Sequence, residues 1–100
     1  MTIYLTGNRN CGNSYKSADR CLKNFRNKVV NASSIEKRLC GIDQEIVRKI
    51  LNLLIEESDA VYMLSGWQAS DEAKQDFIHA AAIRKNILFE DFNDEELCRG

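Results

Sequence analysis

The sequence contains a single histidine and no pair of cysteines at the C-x-x-C spacing. Its cysteines stand apart, at positions 11, 21, 40 and 98. Protein zinc sites are usually built from closely spaced cysteines and histidines. We therefore predict no metal site, and no motif indicates a cofactor. We expect the cysteines to be reduced thiols of a cytoplasmic protein.

The chain also lacks a basic excess, a long apolar run and a secretion signal. It carries 14 Lys and Arg against 15 Asp and Glu, whereas duplex-binding proteins normally show a basic excess or stripe. No apolar run is long enough to cross a bilayer. The first residues have no basic start and no cleavage site of a signal peptide. We therefore expect neither a nucleic acid nor a membrane as partner.

The pattern that is present is that of one α/β domain over residues 1–100, because a chain of this length supports a single core. β-rich runs occupy residues 2–6, 28–31, 60–64 and 87–89. Apolar residues recur at helical spacing in 15–25, 44–57 and 71–84. Segment 32–41 is irregular or weakly helical, and the acidic tail from residue 90 is expected to add a short helix. This alternation predicts a four-stranded parallel sheet with helices on both faces.

The loop at residues 66–70 is the first candidate for a ligand site, since ligands of open parallel sheets bind beyond the carboxyl ends of the strands. Gly66 permits a sharp turn out of the strand, and Trp67 offers a flat face on which a ring can stack. Ser70 precedes a helix whose free N–H groups suit a phosphate or a carboxylate. Alternatively, Trp67 closes one end of the core or a dimer contact, and Ser70 is only a helix cap.

Asp76, on the helix that follows this loop, is the second candidate. It follows Ala73 by three residues and so flanks the buried face. A carboxylate at such an apolar boundary can act as a nucleophile or a base. The alternative is an ordinary solvent-facing residue.

The loop at residues 7–13, with two glycines and an arginine, could wrap a nucleotide or a sugar, but it matches no phosphate-binding motif.

Residues 3–7, 29–31 and above all 58–70 resemble a small, largely uncharacterised family of phage and bacterial proteins related to the nucleoside 2-deoxyribosyltransferases. In that family a strand is followed by Gly-Trp-x-x-Ser, then by Gly-Ala and an acidic residue on the helix. The resemblance implies a flavodoxin-like (Rossmann-like) three-layer fold. It implies cleavage or transfer at the N-glycosidic bond of deoxynucleosides or their monophosphates. It further implies a homodimer in which the neighbouring subunit helps to close the site.

By this resemblance the family's glutamate nucleophile falls on Asp76, whose side chain is one methylene shorter. A misplacement of that order can lower a rate severely. The family's Gly-Ala pair is Glu72 and Ala73 here. This puts a carboxylate where an anion would bind at the helix N-terminus, which argues against a 5′-phosphate bound in the usual way.

Two functions follow from this comparison. One is an N-glycosidic bond hydrolase or deoxyribosyltransferase with Asp76 as the catalytic nucleophile. The other is a catalytically inactive nucleotide-binding or interaction protein of the same fold. For either, the expected ligand is a nucleoside or nucleotide. The predicted substrate-binding residues are Gly7, Asn8, Asn31, Gly66, Trp67 and Ser70.

Overall fold

The computed structural model of the protein describes residues 1–8 and 12–90. Within these residues, four strands and four α-helices follow one another in the order β1 (Thr2–Thr6), α1 (Gly12–Asn24), β2 (Lys28–Asn31), α2 (Ala32–Arg38), α3 (Gln44–Glu57), β3 (Ala60–Met63), α4 (Asp71–Ala82) and β4 (Asn86–Phe89). A short 3-10 helix, Trp67–Ala69, lies between β3 and α4.

The strands form one sheet in the order β2-β1-β3-β4, and all neighbouring strands are parallel. The predicted α/β fold with a four-stranded parallel sheet is thus confirmed, and the arrangement is consistent with a flavodoxin-like three-layer fold. From β1 the chain passes to β2 on one side, and it later continues from β3 to β4 on the other. The strand order therefore reverses between β1 and β3, which is where such sheets bind ligands.

Alternating residues of the strands pack into two separate cores, one on each face of the sheet. Tyr4 of β1 packs with residues of α2, α3 and α4, whereas Leu5, the next residue, packs with α1. The larger core contains Tyr4, Ala32, Val47, Leu51, Ile55, Val61, Met63, Ala73 and Ala80. The smaller one contains Leu5, Tyr15, Ala18 and Leu64. This division is the period-two pattern expected of a sheet that is covered on both faces.

The ends of the helices follow from side-chain capping and from the turns beyond them. Asn31 caps α2, because its Oδ1 accepts a hydrogen bond from the Ser34 N–H at 3.2 Å. This cap decides in favour of a helix in the segment that the sequence left open. Asp43 caps α3 in the same way, accepting from the Glu45 N–H at 2.9 Å.

Helix α1 ends earlier than its apolar pattern indicates. It stops at Asn24, and Arg26 has a φ of 64°, which turns the chain away. Phe25 is consequently 75% exposed instead of continuing the inner face.

Two of the predicted segments lie outside the described residues. They are positions 9–11 of the first loop, with Cys11, and the tail at 91–100, with its expected short helix and Cys98. In the part of the chain that is described, no helix combines the length and the apolar character needed to cross a membrane.

Candidate functional site

Asp76 is the most deeply buried charged residue of the candidate site, with 0% of its surface exposed. Its Oδ2 accepts a hydrogen bond from Thr6 Oγ1 at 2.5 Å, and its Oδ1 is ion-paired with Arg48 Nη2. Thr6 is the last residue of β1, and Arg48 lies in the second turn of α3. The carboxylate therefore ties α4 to both β1 and α3, and the solvent-facing alternative is wrong.

Arg48 is the residue that completes this arrangement. In addition to its contact with Asp76, its Nη1 donates to the Glu72 carbonyl oxygen at 3.4 Å and to Gln75 Oε1 at 3.3 Å. Its Nε is buried and has no hydrogen-bond partner among the described residues. The guanidinium thus neutralises a buried charge, and its Nε–H is a donor that no described residue satisfies.

The N-terminus of α4 is capped by its own side chains. Ser70 Oγ accepts a hydrogen bond from the Ala73 N–H at 3.4 Å and donates one to Glu72 Oε2 at 3.1 Å. Asp71 and Glu72 are both in the first turn. Negative side chains at this end of a helix offset the positive end of its dipole. Ser70, a predicted ligand residue, is therefore part of a cap that already holds an anion.

Trp67 packs inside the chain against two other aromatic residues. Its ring stacks on Phe77 with the centroids 4.9 Å apart, and it meets Phe89 at 6.1 Å. Gly66 directs the chain into this position with a φ of 83°. Apart from its two neighbours in the chain, no described residue has a heavy atom within 4 Å of a Cβ built on Gly66, so the backbone angle rather than the space requires glycine there. One face of Trp67 is thus used in the fold.

The glycine and asparagine at the ends of β1 and β2 also have structural contacts. A Cβ added to Gly7 would lie 2.7 Å from Leu64 Cβ, and the Gly7 carbonyl oxygen accepts a hydrogen bond from the Tyr15 hydroxyl at 2.7 Å. Asn31, besides capping α2, donates from Nδ2 to Asp19 Oδ2 at 3.3 Å. Asn8 is half-buried just beyond Gly7.

The sheet order decides which predicted residues are neighbours. Gly7 and Gly66 follow adjacent strands, β1 and β3, and Asp76 contacts Thr6 at the end of the first of these. Asn31 is the last residue of β2, and β2 lies on the far side of β1 from β3. The described residues therefore bring Asp76 close to Gly7, whereas β1 separates Asn31 from the Gly66 loop.

Two adjoining cavities form a groove between α2, α3 and the first turns of α4, which we name the α2–α3–α4 groove. Their volumes are about 360 Å³ and about 170 Å³. Both are lined by Glu36, Gln44, Val47 and Glu72. The first is also lined by Ser33, Lys37, Leu39, Cys40 and Gly41, and the second by Arg48, Leu51, Asp71 and Gln75. Helix α2 begins directly after β2, and α4 begins after the loop and 3-10 helix that follow β3, so the groove lies towards the carboxyl edge of the sheet.

Apart from Glu72, the polar residues of the groove were not identified as site residues from the sequence. Arg48, Gln44 and Gln75 lie on the polar sides of regular helices, where a solvated position is the usual interpretation. Arg48 and Asp76 are 28 residues apart, and no local spacing connects them. Among residues 1–8 and 12–90, no group of three His, Cys, Asp or Glu side chains is placed to hold a metal ion.

Comparison with known proteins places the chain in a family. No curated protein and no solved structure matches it. Residues 1–89 match the family described as "Domain of unknown function (DUF4406)". Because the match covers most of the 100 residues, the chain belongs to the DUF4406 family of domains of unknown function.

Proposed function

We propose that this protein binds a nucleoside or nucleotide in the α2–α3–α4 groove and does not cleave it. The nature of the ligand rests on the resemblance to the nucleoside 2-deoxyribosyltransferases. The observation that carries the proposal is the state of Asp76, the residue at the nucleophile position. Its carboxylate is buried, and each of its oxygens has a partner within the chain.

A carboxylate that attacks a sugar carbon must reach it with a free lone pair, at about 3–3.5 Å. In this protein Arg48 and Thr6 hold the two oxygens of Asp76. Separating a buried carboxylate from its cation typically costs about 3–5 kcal/mol. Any attack that required the Asp76 carboxylate to leave Arg48 would have this free energy added to its barrier. The geometry therefore favours a structural role for Asp76 over a nucleophilic one.

The groove has the features of a small-molecule site. The larger cavity, of about 360 Å³, lies within the range of roughly 300–1,000 Å³ that is typical of ligand pockets. Apolar side chains of Leu39, Val47 and Leu51 are combined in the groove with the amides of Gln44 and Gln75.

Arg48 adds a specific point of contact. It lines the smaller cavity and its side chain is 22% exposed, so it can meet a ligand in the groove.

The proposal is tested by thermal unfolding of the full chain with each common deoxynucleoside and deoxynucleoside monophosphate. A ligand that binds only the folded state raises the melting temperature, and the rise grows with the logarithm of the ligand concentration once this exceeds Kd. Gln44→Trp fills the groove and is expected to abolish the shift. Glu45→Trp, at the next exposed position of the same helix turn, is the matched control and is expected to retain it. No shift with any of these ligands, or equal loss in both variants, contradicts binding in the groove.

The second candidate is an N-glycosidase or deoxyribosyltransferase. One observation favours it: Asp76 contacts the last residue of β1, at the edge of the sheet where ligands bind. Its test is the release of free base from the same compounds by the purified protein. Base release by the wild type that disappears in an Asp76→Asn variant shown by circular dichroism to be folded would establish this function. Release that is equal in the variant would indicate a contaminating enzyme.

We further propose, from the resemblance alone, that the chain forms a homodimer. Its mass in solution tests this, and a monomer at micromolar concentration contradicts it. Since Trp67 already packs on Phe77 and Phe89, Trp67→Ala is expected to leave the mass unchanged.

The free, exposed thiols of Cys21 and Cys40 support a place in the cytoplasm, where thiols stay reduced.

A further inference from the structure

The α2–α3–α4 groove carries more negative than positive side chains. Its carboxylates are those of Glu36, Asp71 and Glu72, and its cations are those of Lys37 and Arg48. The charge of Arg48 is already balanced by the buried Asp76. Asp71 and Glu72 therefore present negative charge to a ligand in the groove, and among the described lining residues Lys37 is the cation that Asp76 does not neutralise.

The one feature that could attract an anion, the N-terminus of α4, is already occupied by the chain itself. Glu72 lies in the first turn, and its Oε2 accepts the hydrogen bond from the Ser70 hydroxyl. The oxygen of the same hydroxyl accepts from the Ala73 N–H. Because Glu72 also lines both cavities of the groove, its carboxylate lies between the end of the helix dipole and an entering ligand.

We propose that Glu72 makes the groove selective for nucleosides with a free 5′-hydroxyl against their 5′-monophosphates. This inference rests on the proposed function and names its ligand class. A hydroxyl can donate a hydrogen bond to the groove carboxylates, whereas a phosphomonoester carries a charge of about −1.5 to −2 at neutral pH. Such an anion is repelled by Glu72 and finds the cap of Ser70 already used.

The experiment is calorimetric titration of the full chain with each common deoxynucleoside and with its 5′-monophosphate, at low ionic strength. The monophosphate is expected to bind at least about tenfold more weakly than its nucleoside. Glu72→Gln, which removes the charge from an exposed position, is expected to reduce this ratio to about threefold or less. Glu45→Gln, in the first turn of α3 and outside the groove lining, is the matched control and leaves the ratio unchanged.

A second measurement needs no variant. Salt screens the repulsion of charges, so the wild-type ratio is expected to shrink as the ionic strength rises. A monophosphate that binds as tightly as its nucleoside, or a ratio that neither Glu72→Gln nor salt reduces, overturns the role of Glu72 while leaving ligand binding intact. If neither class of compound binds, the proposed function itself is refuted.

Discussion

The ion pair between Arg48 and Asp76 makes a quantitative prediction for Arg48→Met, which removes the charge but keeps most of the side-chain volume. The loss of one partner from a buried ion pair costs about 3–5 kcal/mol. The Arg48 side chain is 22% exposed, so water can partly replace it. We therefore expect a cost at the lower end, about 3 kcal/mol. For a domain of this size that lowers the melting temperature by roughly 12–24 °C.

The assay is urea unfolding followed by circular dichroism and by the fluorescence of Trp67, the single tryptophan. Coincident transitions of the two probes justify a two-state analysis. Lys49→Met is the matched control, because it makes the same kind of change at an exposed position of the same helix. We expect it to alter the free energy of unfolding by no more than about 0.5 kcal/mol.

The double variant Arg48→Met/Asp76→Leu separates the ion pair from the packing. Replacing both charges by apolar side chains removes the buried charge together with its partner, and such replacements are often neutral or stabilising. The double variant should therefore be more stable than Arg48→Met alone, with a coupling energy of about 1–3 kcal/mol. A cost of Arg48→Met that equals that of Lys49→Met, or a coupling energy of zero, would refute this explanation of Asp76. If Arg48→Met does not fold, a folded double variant still supports the explanation, and an unfolded one contradicts it.

Three smaller predictions concern backbone positions and use the same unfolding assay. Gly7→Ala should destabilise the fold by about 1–3 kcal/mol, because its Cβ would overlap Leu64; a neutral result would show that the end of β1 is loosely packed. Gly66→Ala should cost about 1 kcal/mol through its left-handed backbone alone, and a cost above about 3 kcal/mol would imply a steric contact that the structure does not have. Asn31→Ala should cost about 1 kcal/mol by removing the cap of α2, whereas Asn31→Ser, which retains a capping oxygen and puts no charge beside Asp19, should cost less.

The fold could be predicted from the sequence because each strand and most helices are marked by a local pattern of apolar residues. Residues 60–64 are almost entirely apolar, as a strand with both faces covered requires, and α3 shows its inner face at regular spacing. The helix at residues 32–38 has only a weak sequence signal. Its stability comes from the Asn31 cap and from packing rather than from the helix propensity of its short sequence. Phe25 was placed on an inner face by spacing alone, and the turn at Arg26 overrides that spacing.

The candidate site could be predicted only in part from the sequence. Asp76 was found because its spacing from Ala73 and the family resemblance both pointed to it. Its partner Arg48 was not found, because an ion pair between α3 and α4 depends on how the two helices pack. Glu72 was recognised as an obstacle to a phosphate, but its hydrogen bond with Ser70 and its place in the groove required the three-dimensional arrangement.

The central claim is that the protein holds a nucleoside-like ligand and leaves its glycosidic bond intact. Equilibrium dialysis of the full chain against labelled deoxynucleosides, followed by chromatography of the contents of both chambers, tests both parts in one measurement. Binding without cleavage predicts an excess of label on the protein side, recovered entirely as intact nucleoside. Equal label in both chambers, or free base that is no longer formed by Asp76→Asn, would contradict it.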